Sequence, residues 1–195
     1  MAINTLLFDF DGVFRHFDPS FASNCEAEFG LKQNVIVDTA FEGDRYSLVA
    51  SGKMTKKEWI TQTGNLIGSA EAADKVLSHV GTLDTAMVRL VKDLTETGYK
   101  VSLLTNSPSS IHQEIKNFGL EKLFKNIFAT HQIGFAKPDN KIYQYVCQKL
   151  GVDSSEIFFT DDLEENVVAA NNIGMHAKLF TNQSDLEAHL VKVLR

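Results

Sequence analysis

Leu6-Leu7-Phe8-Asp9-Phe10-Asp11-Gly12-Val13 is the stretch on which the reading of this chain turns. An apolar run that empties into two acids spaced i, i+2 reads as a buried strand presenting both carboxylates on one side where it ends. Two such charges repel when close, so a neighbouring cation or a shared proton is expected beside them. Gly12 lets the chain turn at once, with backbone that a ligand can approach closely. An ordinary Asp-Gly turn carrying two solvated acids has the same letters. What separates the two readings is whatever else converges on that strand end.

Working outward, five apolar segments read as strands: Thr5–Phe10, Lys100–Thr105, Asn126–Thr130, Glu156–Thr160 and His176–Phe180. They are too continuously apolar for half-exposed antiparallel strands, which favours a sheet covered on both faces. Between them lie stretches of helical spacing: Leu83–Thr97, Pro108–Phe118, Asn140–Leu150 and Leu163–Ile173. Each stops at a glycine (Gly98, Gly119, Gly151, Gly174), as helices ending in a left-handed residue do. The alternation predicts an α/β fold, a doubly wound, Rossmann-like parallel sheet. From about His16 to Thr82 the rhythm breaks. That stretch holds no convincing strand, its apolar residues recur at helical spacing, and Thr55 ahead of Lys56-Lys57-Glu58 looks like a capped helix start. We read residues 16–82 as an all-helical insert in a core made of residues 1–15 and 83–195. Its two connections are candidate hinges, and it would lie over the crevice at the carboxyl edge of the sheet.

Three more stations fall at or just beyond predicted strand ends. In Leu104-Thr105-Asn106-Ser107-Pro108 a strand runs into a hydroxyl and an amide ahead of a helix, offering an OH and free N–H groups to an anion; plain helix capping is the competing reading. Lys137-Pro138 holds a lysine on extended backbone, able to reach a carboxylate or phosphate as a point charge, although a solvated lysine is the default for such a dipeptide. Thr160-Asp161-Asp162-Leu163-Glu164-Glu165-Asn166 again ends a strand in two acids, which a helix dipole favours even without function. An oxygen-only cluster of this kind suits a hard cation such as Mg²⁺ rather than zinc. Four acids, a lysine, a hydroxyl and a metal at one sheet edge are what phosphoryl transfer needs, because its barrier falls through positioning and charge neutralisation.

Composition narrows the partners. With 19 Lys and Arg against 25 Asp and Glu, the formal charge of −6 leaves no electrostatic footprint for nucleic acid or an anionic membrane surface. Two cysteines, Cys25 and Cys147, are too few for a disulfide framework and fit a reducing compartment. No apolar run reaches the length of a membrane span, and the first residues lack a basic segment followed by an apolar stretch. The expectation is a soluble, cytoplasmic protein acting on a small molecule.

Asp9-Phe10-Asp11-Gly12-Val13, Leu104-Thr105-Asn106, Lys137-Pro138 and Thr160-Asp161-Asp162, in this order, resemble the motifs of the haloacid dehalogenase superfamily, in its phosphatase branch with a helical cap. The stretch Phe159–Met175 is similar to members related to β-phosphoglucomutase and to the amino-terminal phosphatase domain of soluble epoxide hydrolase. The resemblance implies that Asp9 is a nucleophile forming an aspartyl-phosphate. It implies that Asp11 protonates the leaving oxygen and then takes a proton from the hydrolytic water. By the same resemblance, Mg²⁺ is held by the Asp9 carboxylate, the Asp11 carbonyl and Asp162, with Asp161 near it. Thr105 and the Asn106 amide hold the phosphoryl oxygens, and Lys137 offsets negative charge. Where many relatives carry an acid five residues after the first aspartate of the last motif, this chain has Asn166.

Asp11 also argues against a dehalogenase, since those relatives lack an acid two residues after the nucleophile and need no metal. The implied activity is a Mg²⁺-dependent hydrolase of a small phosphate ester. The alternatives are a phosphoryl-transfer isomerase and, from another class, a non-catalytic, receiver-like phosphate-binding module. Arg15 and His16, just after the first motif, and Glu42-Gly43-Asp44-Arg45 in the insert are candidates for substrate choice, with Arg15 or Arg45 able to clamp a second anionic group. Trp59 and the insert's phenylalanines read as core. Lys53, Lys56 and Lys57 read as a solvated helix face.

Overall fold

The computed structural model describes residues 3–194. Five strands, β1 (Thr5–Phe8), β4 (Lys100–Thr105), β5 (Asn126–Ala129), β6 (Ile157–Asp161) and β7 (His176–Leu179), form one parallel sheet in the order β5-β4-β1-β6-β7. The strand at the centre is the one the opening motif belongs to. Its alternation serves two cores at once. Leu6 and Phe8 point to one face, where Met87, Leu90 and Val91 of α6 (Thr85–Glu96), Ile111 and Ile115 of α7 (Ile111–Asn117) and Leu186 and Leu190 of α11 (Gln183–Val193) cover them. Leu7 points to the other, against Ile142, Tyr143 and Val146 of α9 (Asn140–Leu150) and Ala169 and Ala170 of α10 (Glu164–Asn172). A strand buried on both faces has no polar side to spare, which is why its sequence reads as a continuous apolar run.

Five helices separate β1 from the rest of the sheet: α1 (Pro19–Glu28), α2 (Val35–Phe41), α3 (Arg45–Ala50), α4 (Lys56–Ile67) and α5 (Ala70–Leu77). They carry small cores of their own, one around Cys25, Ile36 and Ala72 and another around Ala40, Val49 and Trp59. The capping box foreseen at Thr55 is present: its hydroxyl accepts from the Glu58 N–H at 3.1 Å, and the Glu58 carboxylate accepts from the Thr55 N–H at 2.8 Å.

Local differences from the sequence expectation have simple causes. The first strand ends at Phe8 rather than Phe10, because the Phe10 carbonyl is turned to accept from both the Phe14 and Arg15 N–H groups. Both ends of the helical stretch are strand after all, a short antiparallel ribbon of β2 (Arg15–His16) and β3 (Thr82–Leu83), too brief to leave a periodic signal. The helix expected from Pro108 begins at Ile111, so neither Asn106 nor Ser107 caps it. A one-turn helix, α8 (Thr130–Ile133), follows β5. Cys25 is buried and Cys147 half-buried, both as free thiols. Among the described residues no helix is long and apolar enough to cross a membrane.

Candidate active site

The sheet order brings the site together. β1 lies between β4 and β6, with Phe8 in register with Leu103 on one side and Thr160 on the other, so residues just past the three strand ends share one edge. The chain winds outward from β1 to β4 and β5 and returns to β6 and β7, and strand order reverses beside β1, where ligands of open α/β sheets bind.

Asp9, one residue past β1, is still tethered to β6 by its N–H, which donates to the Thr160 carbonyl at 3.0 Å. Its carboxylate is buried, and Oδ1 stands 2.8 Å from the Lys137 ammonium, though out of line for a hydrogen bond. Lys137 Nζ also donates to Asp161 Oδ2 at 2.6 Å, so one buried cation serves two acids. Burial pushes the Asp9 carboxyl up to about 8, with the Lys137 charge opposing and the Asp161 charge adding to the rise. Burial works to lower Lys137, but attraction to Asp9 and Asp161 outweighs it and holds the ammonium above its ordinary range. The two directions agree: the pocket carries more negative charge than one lysine offsets. Asp162 is pushed up as well, by burial first and by Asp161 second.

An ion is what this excess calls for. Carboxylate oxygens of Asp9, Asp161 and Asp162 all lie within 4.8 Å of one another, an all-oxygen set suited to a hard divalent cation. Among the described residues no N–H donates to the Asp11 carbonyl, which leaves it free to serve as a further oxygen. The residues therefore fit Mg²⁺. Within the trio the two adjacent acids differ. Asp161 is fully buried and its oxygens receive three donors: the Leu163 N–H and Asn166 Nδ2, each at 2.9 Å, and the Lys137 ammonium. Asp162 is more exposed and lies against Gly12, where a Cβ would fall on its carboxylate. Asn166 thus occupies the acid's usual place as a hydrogen-bond donor that orients Asp161.

On the β4 side, the Thr105 and Ser107 hydroxyls are buried without a partner, a costly arrangement that an incoming anion would relieve. The Asn106 side chain is committed elsewhere: its amide donates to the Lys137 carbonyl and its oxygen accepts from the Lys137 N–H, both at 2.9 Å. It fixes the lysine's backbone, leaving its own main-chain N–H as the only amide it can direct to a phosphoryl group.

Asp11 sits apart from the acidic trio. Both its oxygens accept from Arg15, Nε at 2.5 Å and Nη2 at 3.0 Å, and Arg15 Nη1 pairs with Glu114 of α7. Arg15 is buried, so the sequence expectation that it clamps a substrate anion gives way: its charge is already taken. Arg45 is taken too, by the Thr39 carbonyl at 2.5 Å and Glu42 at 3.3 Å. Lys56 is not part of a solvated face; it reaches the core, donating to Ser110 at 3.2 Å and pairing with Glu114 at 3.5 Å. Two contacts absent from the sequence reading seat the helical stretch above the site. The Tyr46 hydroxyl donates to the Asn106 carbonyl at 2.5 Å, and Gly52 approaches His131 so closely that a Cβ would meet its carbonyl. Lone tyrosines and glycines carry no spacing signal, so no motif search would have found them.

A family model for haloacid dehalogenase-like hydrolases matches residues 3–174. The chain belongs to this family. As a member of the haloacid dehalogenase-like hydrolases it is similar over most of its length to enzymes named as phosphatases. It is 29% identical over 174 residues to a sesquiterpene phosphatase of Aspergillus oryzae, covering 87% of this chain and 85% of the relative. It is 23% identical over 204 residues to a D-ribitol-5-phosphate phosphatase of Bacteroides thetaiotaomicron, covering 98% of each. A solved family enzyme from the same bacterium, in complex with magnesium and inorganic phosphate, superposes with a TM-score of 0.78 at 23% identity over 95% of this chain and 99% of that one. The phosphatase-branch resemblance read from the motifs holds, as does the doubly wound parallel sheet.

Proposed function

We propose that this chain is a Mg²⁺-dependent phosphomonoesterase that works through a phosphorylated Asp9, with residues 16–82 acting as a cap over the site. The observation that carries the reading is the cluster of buried Asp9, Lys137 and Asp161 with the more exposed Asp162 at the carboxyl edge of the central strand, beside two buried hydroxyls with no partner. Asp9, Asp162, the Asp11 carbonyl and, behind them, Asp161 would hold Mg²⁺, which when bound supplies charge neutralisation for the phosphoryl oxygens. Asp9 attacks phosphorus, an Asp9–phosphorus bond forms, and the ester oxygen departs. Asp11 gives that oxygen its proton, then receives one from the water whose oxygen displaces Asp9 and releases phosphate. Both Asp11 oxygens are held by Arg15, so each transfer requires one of those bonds to open. Lys137 stays charged throughout and offsets the charge shared by Asp9 and the phosphoryl group. Thr105, Ser107 and the Asn106 N–H support the transferred group.

Relatives named for substrates as different as glycolate, ribitol and sesquiterpene phosphates carry the family. Family membership therefore leaves the leaving group open, though the names all point to phosphate esters of small molecules. Release of p-nitrophenol from p-nitrophenyl phosphate, with and without EDTA, tests the reading, together with Asp9→Asn. The expected result is metal-dependent release that falls by at least about a thousandfold in Asp9→Asn. Equal turnover in EDTA, or an active Asp9→Asn protein, would refute it, and movement of phosphate within a hexose phosphate without free phosphate would favour the isomerase.

A further inference from the structure

A cavity of about 460 Å³ opens beyond Asp11, between the five-helix insert and the sheet edge. Asp11, the residue that meets the leaving oxygen, belongs to its wall. The rest of the wall is mainly apolar: Phe17, Phe21, Val37, Phe41, Trp59 and Leu77. Phe17, Val37 and Phe41 stay between 40% and 48% exposed, so these side chains face the space rather than fill a core. The expectation that the insert's aromatics are simply core fails for Phe17 and Phe41. They line the volume a leaving group would enter.

The wall has no cation to spare. Arg15 is taken by Asp11 and Glu114, and Lys56 by Glu114 and Ser110. His79 stacks on Phe21 with ring centroids 3.9 Å apart. Asp18 and Asp38 add negative charge to the same wall. A second phosphate or a carboxylate on the substrate would meet repulsion there, and beyond Asp18, Asn34, Asp38 and His79 a polyol would leave its remaining hydroxyls against hydrocarbon. We propose that the substrate is the phosphate monoester of an apolar alcohol, its hydrocarbon chain seated in this cavity and its phosphate at Asp9. This rests on the phosphatase reading above for the second half only.

Two measurements separate the parts. Turnover is followed along ethyl, butyl, hexyl and octyl phosphate, with glycerol phosphate, phosphoglycolate and p-nitrophenyl phosphate alongside. Burial of each methylene is expected to raise kcat/KM by about two- to fourfold, with octyl phosphate far above the two polar esters. Val37→Asn, on the exposed side of α2, should lower the octyl-to-glycerol ratio of kcat/KM. Binding is read without turnover: Trp59 is the only tryptophan and sits in the wall, so its fluorescence in Asp9→Asn reports an occupant directly. Octyl phosphate should give a saturable change and glycerol phosphate none at equal concentration. Hydrolysis of p-nitrophenyl phosphate with a flat alkyl series, or a silent Trp59, overturns the apolar substrate and leaves the phosphatase standing. Saturable octyl phosphate binding at Trp59 in a protein that hydrolyses no ester supports the apolar site and sinks the phosphatase.

Discussion

Gly12 and Asp162 come from strands 150 residues apart in sequence yet share one small volume, and the absence of a side chain at Gly12 creates it. Its φ of +80° lies in the left-handed region, and a Cβ there would coincide with the Asp162 carboxylate. Gly12→Ala is therefore expected to cost about 1–2 kcal/mol from backbone strain alone and to push Asp162 off the acidic cluster. A thermal melt and a Mg²⁺ titration check both halves; unchanged Mg²⁺ affinity would show that Asp162 is dispensable to the ion. At this scale the sequence displays types and spacing but not commitments. Asp9 and the Asp161-Asp162 pair were legible because each stands at a strand end within a recognisable run, whereas Lys137, beyond both β5 and α8, was legible only in register with the other stations. That Arg15 is spent on Asp11 and Glu114 was not legible, since Glu114 lies on a helix 99 residues away with nothing in its neighbours to mark it. Removing Arg15 leaves the largely buried Glu114 carboxylate without its guanidinium. Arg15→Met is thus expected to destabilise the fold by about 1–3 kcal/mol, since Lys56 at 3.5 Å still faces Glu114, measured by urea unfolding.

Between the elements, the division of labour follows periodicity. Strands buried on both faces and helices with one apolar side announce themselves, so the parallel sheet and four of its covering helices were readable to within a few residues, whereas α11 (Gln183–Val193) was not. The ribbon of Arg15–His16 with Thr82–Leu83 was not, because two residues per strand carry no period. Helix α4 illustrates a local rule that survives intact: the Thr55–Glu58 capping box forms as its spacing requires. Thr55→Ala should weaken the protein by about 1 kcal/mol while leaving kcat untouched, since Thr55 lies outside the cluster and the cavity wall. The seat of the insert obeys tertiary geometry instead. Tyr46→Phe removes one hydrogen bond to the Asn106 carbonyl, a loss of about 1 kcal/mol, and is expected to raise KM severalfold by loosening the insert over the site. A KM equal to that of the parent chain would mean that this bond does not help seat the cap.

Across the whole molecule the acidic cluster couples charge to stability. The folded state raises the Asp9 carboxyl from 3.8 to about 8 through burial, and Asp162 rises with it. Between about pH 4 and pH 8 the folded, metal-free protein therefore keeps a proton that the unfolded chain has already released. Stability that is complete at low pH is lost as the pH climbs through this window. Mg²⁺ reverses the balance, because it needs the ionised carboxylates and releases their protons on binding, so its affinity grows with pH. In EDTA the melting temperature should fall from pH 5 to pH 8, whereas saturating Mg²⁺ should offset the fall, and the Mg²⁺-induced increment should widen steadily with pH. Asp9→Asn, which cannot titrate, should flatten most of the metal-free slope and shrink the increment at every pH. An increment that stays constant or narrows toward pH 8 would mean that the ion does not bind at the expense of these protons, and that the excess negative charge around Lys137 is resolved some other way.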